Sequence, residues 1–283
     1  MPVTIDNYLS TQWSFEQVDE IMEKYGLWEK MCIKDKNTPI KTGKTGSFIG
    51  IPDEHGGYPV LRCPSYFDCK DIPQELMEMF KDLPFKFNIV KIQKYEKGIK
   101  GISPHADKVI DMDVNHPIYI YRINKEPKKY RSLCFCIKEG EGILTTYKLP
   151  SNSLVEISYE ENLRLLHWVP VENDKDTTSQ CISFVFRLAN TFQLRSGHVY
   201  GQGALFKSYE ERMTSPNSGN HEGLRAWGGD LKPEDLRKNN ERCIKMFNLE
   251  NKTDLFNTFE GEKEKQAVLD YRQIRDEIIE LTL

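Results

Sequence analysis

No stretch of this chain approaches the roughly 18 unbroken apolar residues that would cross a bilayer, and no apolar h-region stands near its first residue. The seven cysteines, Cys32, Cys63, Cys69, Cys134, Cys136, Cys181 and Cys243, are odd in number and form no CxxC pair. That spacing argues against a disulfide framework and against a zinc finger. These absences predict free thiols in a reducing, cytoplasmic setting, the nucleus included, and a chain neither secreted nor embedded in a membrane. An excess of one charge sign is also lacking: 39 Lys and Arg stand against 43 Asp and Glu, for a net charge of −4, so nothing global draws the chain to nucleic acid. There is no internal repeat and no low-complexity tract. Tyr200-Gly201-Gln202-Gly203 lacks the strand, turn and helix that a phosphate loop requires.

What is present describes a folded globular protein, with 39% hydrophobic and 29% charged residues. The 283 residues fit one core with extensions. Ser14 and Gln17 make a capping box ahead of Phe15, Val18, Ile21 and Met22 at helical spacing, up to Gly26. Residues 36–70 are rich in Gly, Pro and Lys, with short strands expected at Ser47–Ile51 and Tyr58–Arg62. Asp71 is expected to cap a second helix that carries Leu76, Met77, Met79 and Phe80 and ends before Pro84. Strand-like runs follow at 87–95, 117–123, 132–138, 143–148, 153–158, 164–169 and 181–189. Past Thr191 the chain turns polar and glycine-punctuated, with a loop expected over Ser208–Gly229. Two helices are expected near 233–248 and 262–281, the last with the stripe Val268, Tyr271, Ile274, Ile278 and Leu281. The reading is mostly β with flanking helices: residues 1–84 as N-terminal helices and a substrate-recognition lid, 85–195 as the core, and 196–283 as a loop and C-terminal helical extension.

His105-Ala106-Asp107, with His167 and Arg187 further along the chain, carries the chemistry. Two imidazoles and one carboxylate on one face of a metal leave the opposite positions open, which lets non-haem Fe(II) take a cosubstrate and O₂. In an extended triplet, positions i and i+2 point the same way, so His105 and Asp107 can reach one ion together. His167 ends an apolar run, where an imidazole needs a hydrogen-bond partner or a metal. In Cys181–Leu188 the even positions are large and apolar, which puts Arg187 on the smaller, more polar face. There it needs an anion, either an Asp or Glu of the protein or a ligand carboxylate. Lys91, Lys94, Lys97 and Lys100 crowd the approach to the triplet, and Lys125, Lys128, Lys129 and Arg131 follow the next strand. A solvated rim and a phosphate-binding groove both fit that density.

The order of these motifs resembles the Fe(II)/2-oxoglutarate-dependent oxygenases, and among them the AlkB-type proteins, over about residues 85 to 192. Asn88–Gly98 is similar to the family strand that precedes HxD, and Leu165–Pro170, after Ser153–Tyr159, looks like the segment with the distal ligand and its following proline. The resemblance implies a double-stranded β-helix (jelly-roll) core in which His105, Asp107 and His167 hold Fe(II). It implies 2-oxoglutarate as cosubstrate, contacted by Gln93, Tyr95, Ser183 and Arg187, with O₂ as the second cosubstrate. The reaction implied is C–H hydroxylation or oxidative N-demethylation. An alkylated nucleobase in DNA or RNA is one substrate class, with Tyr58, Tyr66 or Phe67 placed to stack on a flipped base. A small metabolite or a protein side chain is the alternative, and a barrel that binds metal or an anionic ligand without turnover is a third reading. The family pattern closes with an arginine, a small polar residue two positions on, and a second arginine six positions after the first. Those places hold Cys181, Ser183 and Arg187, so one carboxylate anchor departs from the pattern. Lys91, Arg164 and Arg195 are the candidates to replace it.

Overall fold

In the central β runs one alternating set of positions is mostly apolar and the other mixes apolar with small and polar residues, yet both sets are largely buried, as in strands covered on two faces. The computed structural model describes residues 2–6, 8–9, 13–30, 32–33, 38–39, 45–61, 65–66, 69–96, 101–138, 143–170 and 179–214, with 241, 242, 245, 249, 276, 277 and 279–281. The elements that position the site begin with β1 (Val3–Ile5), α1 (Phe15–Lys24), β2 (Thr45–Gly50) and α2 (Gln74–Phe80). Then come β3 (Ile89–Tyr95), β4 (Ile102–His105), β5 (Ile118–Asn124), β6 (Arg131–Ile137) and β7 (Thr145–Leu149). The series continues with β8 (Ser153–Ile157), α3 (Tyr159–Arg164), β9 (Leu165–Val169), β10 (Cys181–Arg187), β11 (Thr191–Gln193), β12 (Val199–Gly201) and α4 (Tyr209–Thr214).

The fold is mostly β, with several largely antiparallel sheets and few helices. The main sheet is ordered β1-β8-β5-β10-β3-β2, with Glu29–Lys30 beyond β2 and Cys69–Asp71 joined to β2 in parallel. The second sheet is ordered β4-β9-β6-β7 and is antiparallel throughout. Main-sheet residues Ile118, Ile120, Val155 and Val185 share a core with Leu133, Phe135, Leu165 and Val169 of the second sheet. On the opposite face of the main sheet, Ile92, Tyr121, Phe184 and Phe186 pack with Trp13, Val18, Met22, Leu76 and Phe80 of the helical layer. Every residue of β10 is therefore buried, its even positions toward the helices and its odd ones toward the second sheet. Phe184 lies 5.6 Å from the Trp13 ring and 5.9 Å from the Phe80 ring, both edge to face.

α1 starts where its capping box places it: the Ser14 hydroxyl accepts from the Gln17 N–H, and the Gln17 side chain accepts from the Ser14 N–H. Asp71 does not cap α2. It ends the strand Cys69–Asp71, its carboxylate accepts from the Tyr58 hydroxyl and from Arg195, and Pro73 occupies the N-cap without a side-chain bond. The strand expected over Tyr58–Arg62 is Tyr58–Pro59, paired with β11. β4 has no counterpart among the expected runs, and α3 fills the gap between two of them. β2 pairs with β3 along its whole length, so the main sheet continues across the boundary placed at residue 84. α4 lies inside the stretch expected as a loop; residues 215–229 of that stretch are outside the described residues. Of the last helix's stripe, Val268, Tyr271, Ile274 and Ile278 are also outside the described residues, while Leu281 packs partly buried against the inter-sheet core. Arg242 ties the C-terminal segment down by donating to the carbonyls of Gln202 at 2.8 Å and Ala204 at 2.6 Å. Among the described residues no helix is long and apolar enough to cross a membrane.

Candidate metal centre

β4 and β9 carry the two histidines into register. His105 stands opposite His167, with ring centroids 4.5 Å apart. From Ile102 to His105 β4 advances three positions while β9 advances two, from Val169 to His167, so the strand bulges just before the histidine. A bulge of that kind re-aims a side chain beside a site. Gly101 permits the approach, since a Cβ there would sit 1.6 Å from the Val169 carbonyl oxygen. Past the end of β4, Asp107 is held by α3: the Asn162 side-chain oxygen accepts from the Asp107 N–H at 3.0 Å, and the Asn162 amide donates to the Asp107 carbonyl at 2.8 Å. Asn162 is 1% exposed, and its helix is fixed by a second capping box between Ser158 and Glu161. The result is one ligand atom each from His105, Asp107 and His167, all within 4.8 Å of one another.

The electrostatics keep these groups ready to coordinate. His105 Nδ1 lies 2.8 Å from the Ser103 carbonyl, which suits a proton on Nδ1 and leaves Nε2 free for a metal. Burial pushes the His167 imidazole down to about 3, with His105 beside it acting in the same direction, so the ring is neutral at pH 7. Burial also lowers His105. Burial alone would raise Asp107, but the Arg187 guanidinium, then His167, His105 and Lys91, hold its carboxyl well below the usual carboxylate range. Arg187 Nη2 pairs directly with Asp107 Oδ2, while Oδ1 stands 3.9 Å from His105 Nε2. One carboxylate oxygen is thus taken by the arginine and the other faces the histidines. Two neutral imidazoles and a carboxylate form the mixed nitrogen and oxygen donor set that suits a divalent first-row metal such as Fe(II).

Gln93, Tyr95, Ser183 and Arg187 line the same cavity as the three ligands. The Tyr95 hydroxyl donates to the Gln93 side-chain oxygen at 3.2 Å, and burial raises its pKa, so the phenol stays protonated. Ile102, Ile120, Leu133, Val169 and Val185 make the rest of the wall largely apolar. Cys181 is fully buried on β10, next to Tyr95 in register. Of the three residues proposed to replace an anchor at 181, only Lys91 lines the cavity. Arg164 is exposed at the end of α3, and Arg195 lies over the Tyr58 ring at 4.1 Å. Arg195 also covers Tyr58, one of the expected stacking residues, while the Tyr66 side chain and Phe67 are outside the described residues. Lys94 is bound to Asp19 on the helical side at 2.7 and 2.8 Å, and Lys125 lies over the Phe15 ring.

Two participants escaped the sequence reading. Asn162 carries no local signal, because its partners are backbone groups 55 residues away. Arg122, 1% exposed, also lines the cavity, and its signal was readable: on β5 it alternates with Ile118 and Ile120 on the inward face. No protein-family model matches this chain, and no curated protein matches it either.

Proposed function

We propose that this chain is a non-haem Fe(II)- and 2-oxoglutarate-dependent dioxygenase of the AlkB-like kind, built on a double-stranded β-helix. The scaffold reading is supported by the route of the chain, which from β3 to β10 enters the main sheet, the second, the main, the second twice, the main, the second and the main again. Four strands ordered β8-β5-β10-β3 thus face four ordered β4-β9-β6-β7. The observation that carries the chemical reading is the convergence of His105, Asp107 and His167 within 4.8 Å at one end of the inter-sheet cavity.

Fe(II), 2-oxoglutarate and O₂ together supply oxidative decarboxylation to succinate and CO₂ coupled to hydroxylation of a substrate C–H bond, which on an N-methyl group releases formaldehyde. His105, His167 and Asp107 would hold the metal through three donors and leave its remaining positions to ligands. Arg187 keeps Asp107 ionised and fixes which oxygen it presents. Ile102, Ile120, Leu133, Val169 and Val185 supply the apolar part of the cavity lining, and Tyr95 keeps its hydroxyl proton. On substrate, the lysines favour the second reading, a metabolite or a protein side chain over a nucleobase. Lys94, from the cluster ahead of the triplet, and Lys125, from the cluster after the next strand, are engaged on the helical side of the sheet, away from the cavity, while Lys97 and Lys100 are outside the described residues.

The test is to load the purified protein with Fe(II) and 2-oxoglutarate under argon, admit O₂, and follow succinate by NMR. A panel of methylated oligonucleotides, methylated peptides and small N-methyl amines is offered in parallel. Expected is succinate formation that is stimulated by one substrate class and absent in His167→Ala. Succinate no greater than that of His167→Ala, with every substrate, would leave a ligand-binding barrel without turnover.

A further inference from the structure

We propose, resting on the dioxygenase reading above, that Arg122 holds the far carboxylate of the 2-oxo dicarboxylate, reaching it from the strand beside Cys181. β5 carries this guanidinium inward beside Ile118 and Ile120, and it is 1% exposed. Its Nη1 donates to the Arg131 carbonyl at 3.2 Å, and its Nε has no hydrogen-bond partner. Among the described residues no carboxylate pairs with it. A buried cation without a counter-charge is unfavourable in a low-dielectric interior, and the cavity is where an anion can meet it. Lys91, Arg122 and Arg187 line that cavity with Asp107 as the carboxylate, and Arg187 already engages Asp107. The lining thus carries a surplus of positive charge that an anionic ligand would neutralise.

The sheet register gives the position. Arg122 pairs with Ser183, and Ser183 with Gln93, so the three form one row across the main sheet. Arg187 is four residues further along β10, roughly 13 Å at the rise of a strand. The two guanidiniums therefore bracket the cavity, Arg187 at the metal end and Arg122 toward the far end. Cys181 is the diagonal neighbour of Arg122, about 7–8 Å away across the strand pair. A long side chain from 122 can fill the space that a short one at 181 leaves. Lys91 lies one row nearer the metal ligands, opposite Val185.

The test is binding, with Mn(II) in place of iron so that no turnover intervenes. 2-Oxoglutarate and 2-oxobutanoate, which lacks the far carboxylate, are titrated calorimetrically into wild type, Arg122→Met, Arg122→Lys and Lys91→Met. Wild type is expected to favour 2-oxoglutarate. Arg122→Met is expected to weaken 2-oxoglutarate by roughly 10- to 150-fold, the equivalent of one or two charge-assisted hydrogen bonds, and to leave 2-oxobutanoate unchanged. Arg122→Lys, which keeps the charge but not the fork, should fall between. Methionine in place of a buried cation without a carboxylate partner should not lower the unfolding temperature of the ligand-free protein. If Arg122→Met nevertheless fails to fold, Arg122→Lys carries the comparison. An Arg122 variant that keeps wild-type discrimination overturns the assignment and leaves the metal reading standing, as does Lys91→Met if it alone abolishes discrimination. A Mn(II)-loaded wild type that binds neither oxo acid overturns both.

Discussion

Asn162 is the residue whose removal most directly probes how the metal ligands are positioned. Its amide makes both hydrogen bonds to the backbone of Asp107, at 3.0 and 2.8 Å, from a helix otherwise remote in sequence. Each such bond contributes about 0.5–1.5 kcal/mol net, so their loss together costs about 1–3 kcal/mol. If that cost appears as loss of order in the triplet of the metal-free protein, it returns as weaker metal binding, at about tenfold per 1.4 kcal/mol. Partners of this kind, one step behind a metal ligand, typically contribute about 10- to 100-fold in affinity. Asn162→Leu preserves most of the side-chain volume and removes both bonds; Asn162→Ala removes volume as well. Titration of Mn(II) by the EPR signal of the free ion should show about 10- to 100-fold weaker binding in both variants. Thermal unfolding in parallel separates this from general instability. Wild-type Mn(II) affinity in a folded Asn162→Leu would show that the triplet holds its shape without the clamp.

Three further outcomes are expected. Phe184→Ala removes a ring packed against Trp13, Phe80, Tyr121 and Phe186 and should cost about 3–5 kcal/mol in urea unfolding; a cost below about 1 kcal/mol would mean that this layer is not close-packed. Gly101→Ala forces a Cβ against the Val169 carbonyl, so β4 must move off β9, and Mn(II) binding should be lost while circular dichroism keeps its β signature; unchanged binding would refute the close approach. The third concerns pH. His167 titrates near 6.5 when unfolded and is pushed down to about 3 in the fold, so the unfolded chain takes up the proton first. The stability held by the neutral ring is complete above about pH 6.5 and is lost as pH falls toward 3, at about 1.4 kcal/mol per unit. His105 shifts in the same direction, and Asp107, held low, adds its loss only below about pH 4. Urea midpoints in EDTA should therefore fall steadily from pH 7 to pH 5, and a flat profile would contradict the buried neutral imidazole.

Elements with strong periodicity were legible in the sequence. α1 announces itself by its capping box, and β10 by the alternation of Ile182, Phe184 and Phe186 with Ser183 and Arg187. β4 was not legible, because Ile102-Ser103-Pro104-His105 has no alternation, includes a proline and bulges against its partner. α3 is a different case: it is six residues long and fills the short gap between the runs expected at 153–158 and 164–169. Asp71 misled because a capping residue type followed by proline fits a helix start, whereas here its carboxylate serves Tyr58 and Arg195. In the site, residue types named His105, Asp107 and His167, and alternation placed Arg187 inward. Its partner in this structure is Asp107, the protein-carboxylate alternative that the sequence left open. Arg122 was overlooked because a charged residue between apolar neighbours invites a surface reading, although its parity with Ile118 and Ile120 points inward.

In the proposed function His105, Asp107 and His167 form one iron site that also takes a 2-oxo acid. Anaerobic titration with Fe(II), with and without 2-oxoglutarate, on wild type and His167→Ala tests it most directly, through the weak visible charge-transfer band of the chelate. A band is expected in wild type only when both are present, and none in His167→Ala. Iron bound to wild type with no band on adding 2-oxoglutarate, or an equal band in His167→Ala, would contradict it.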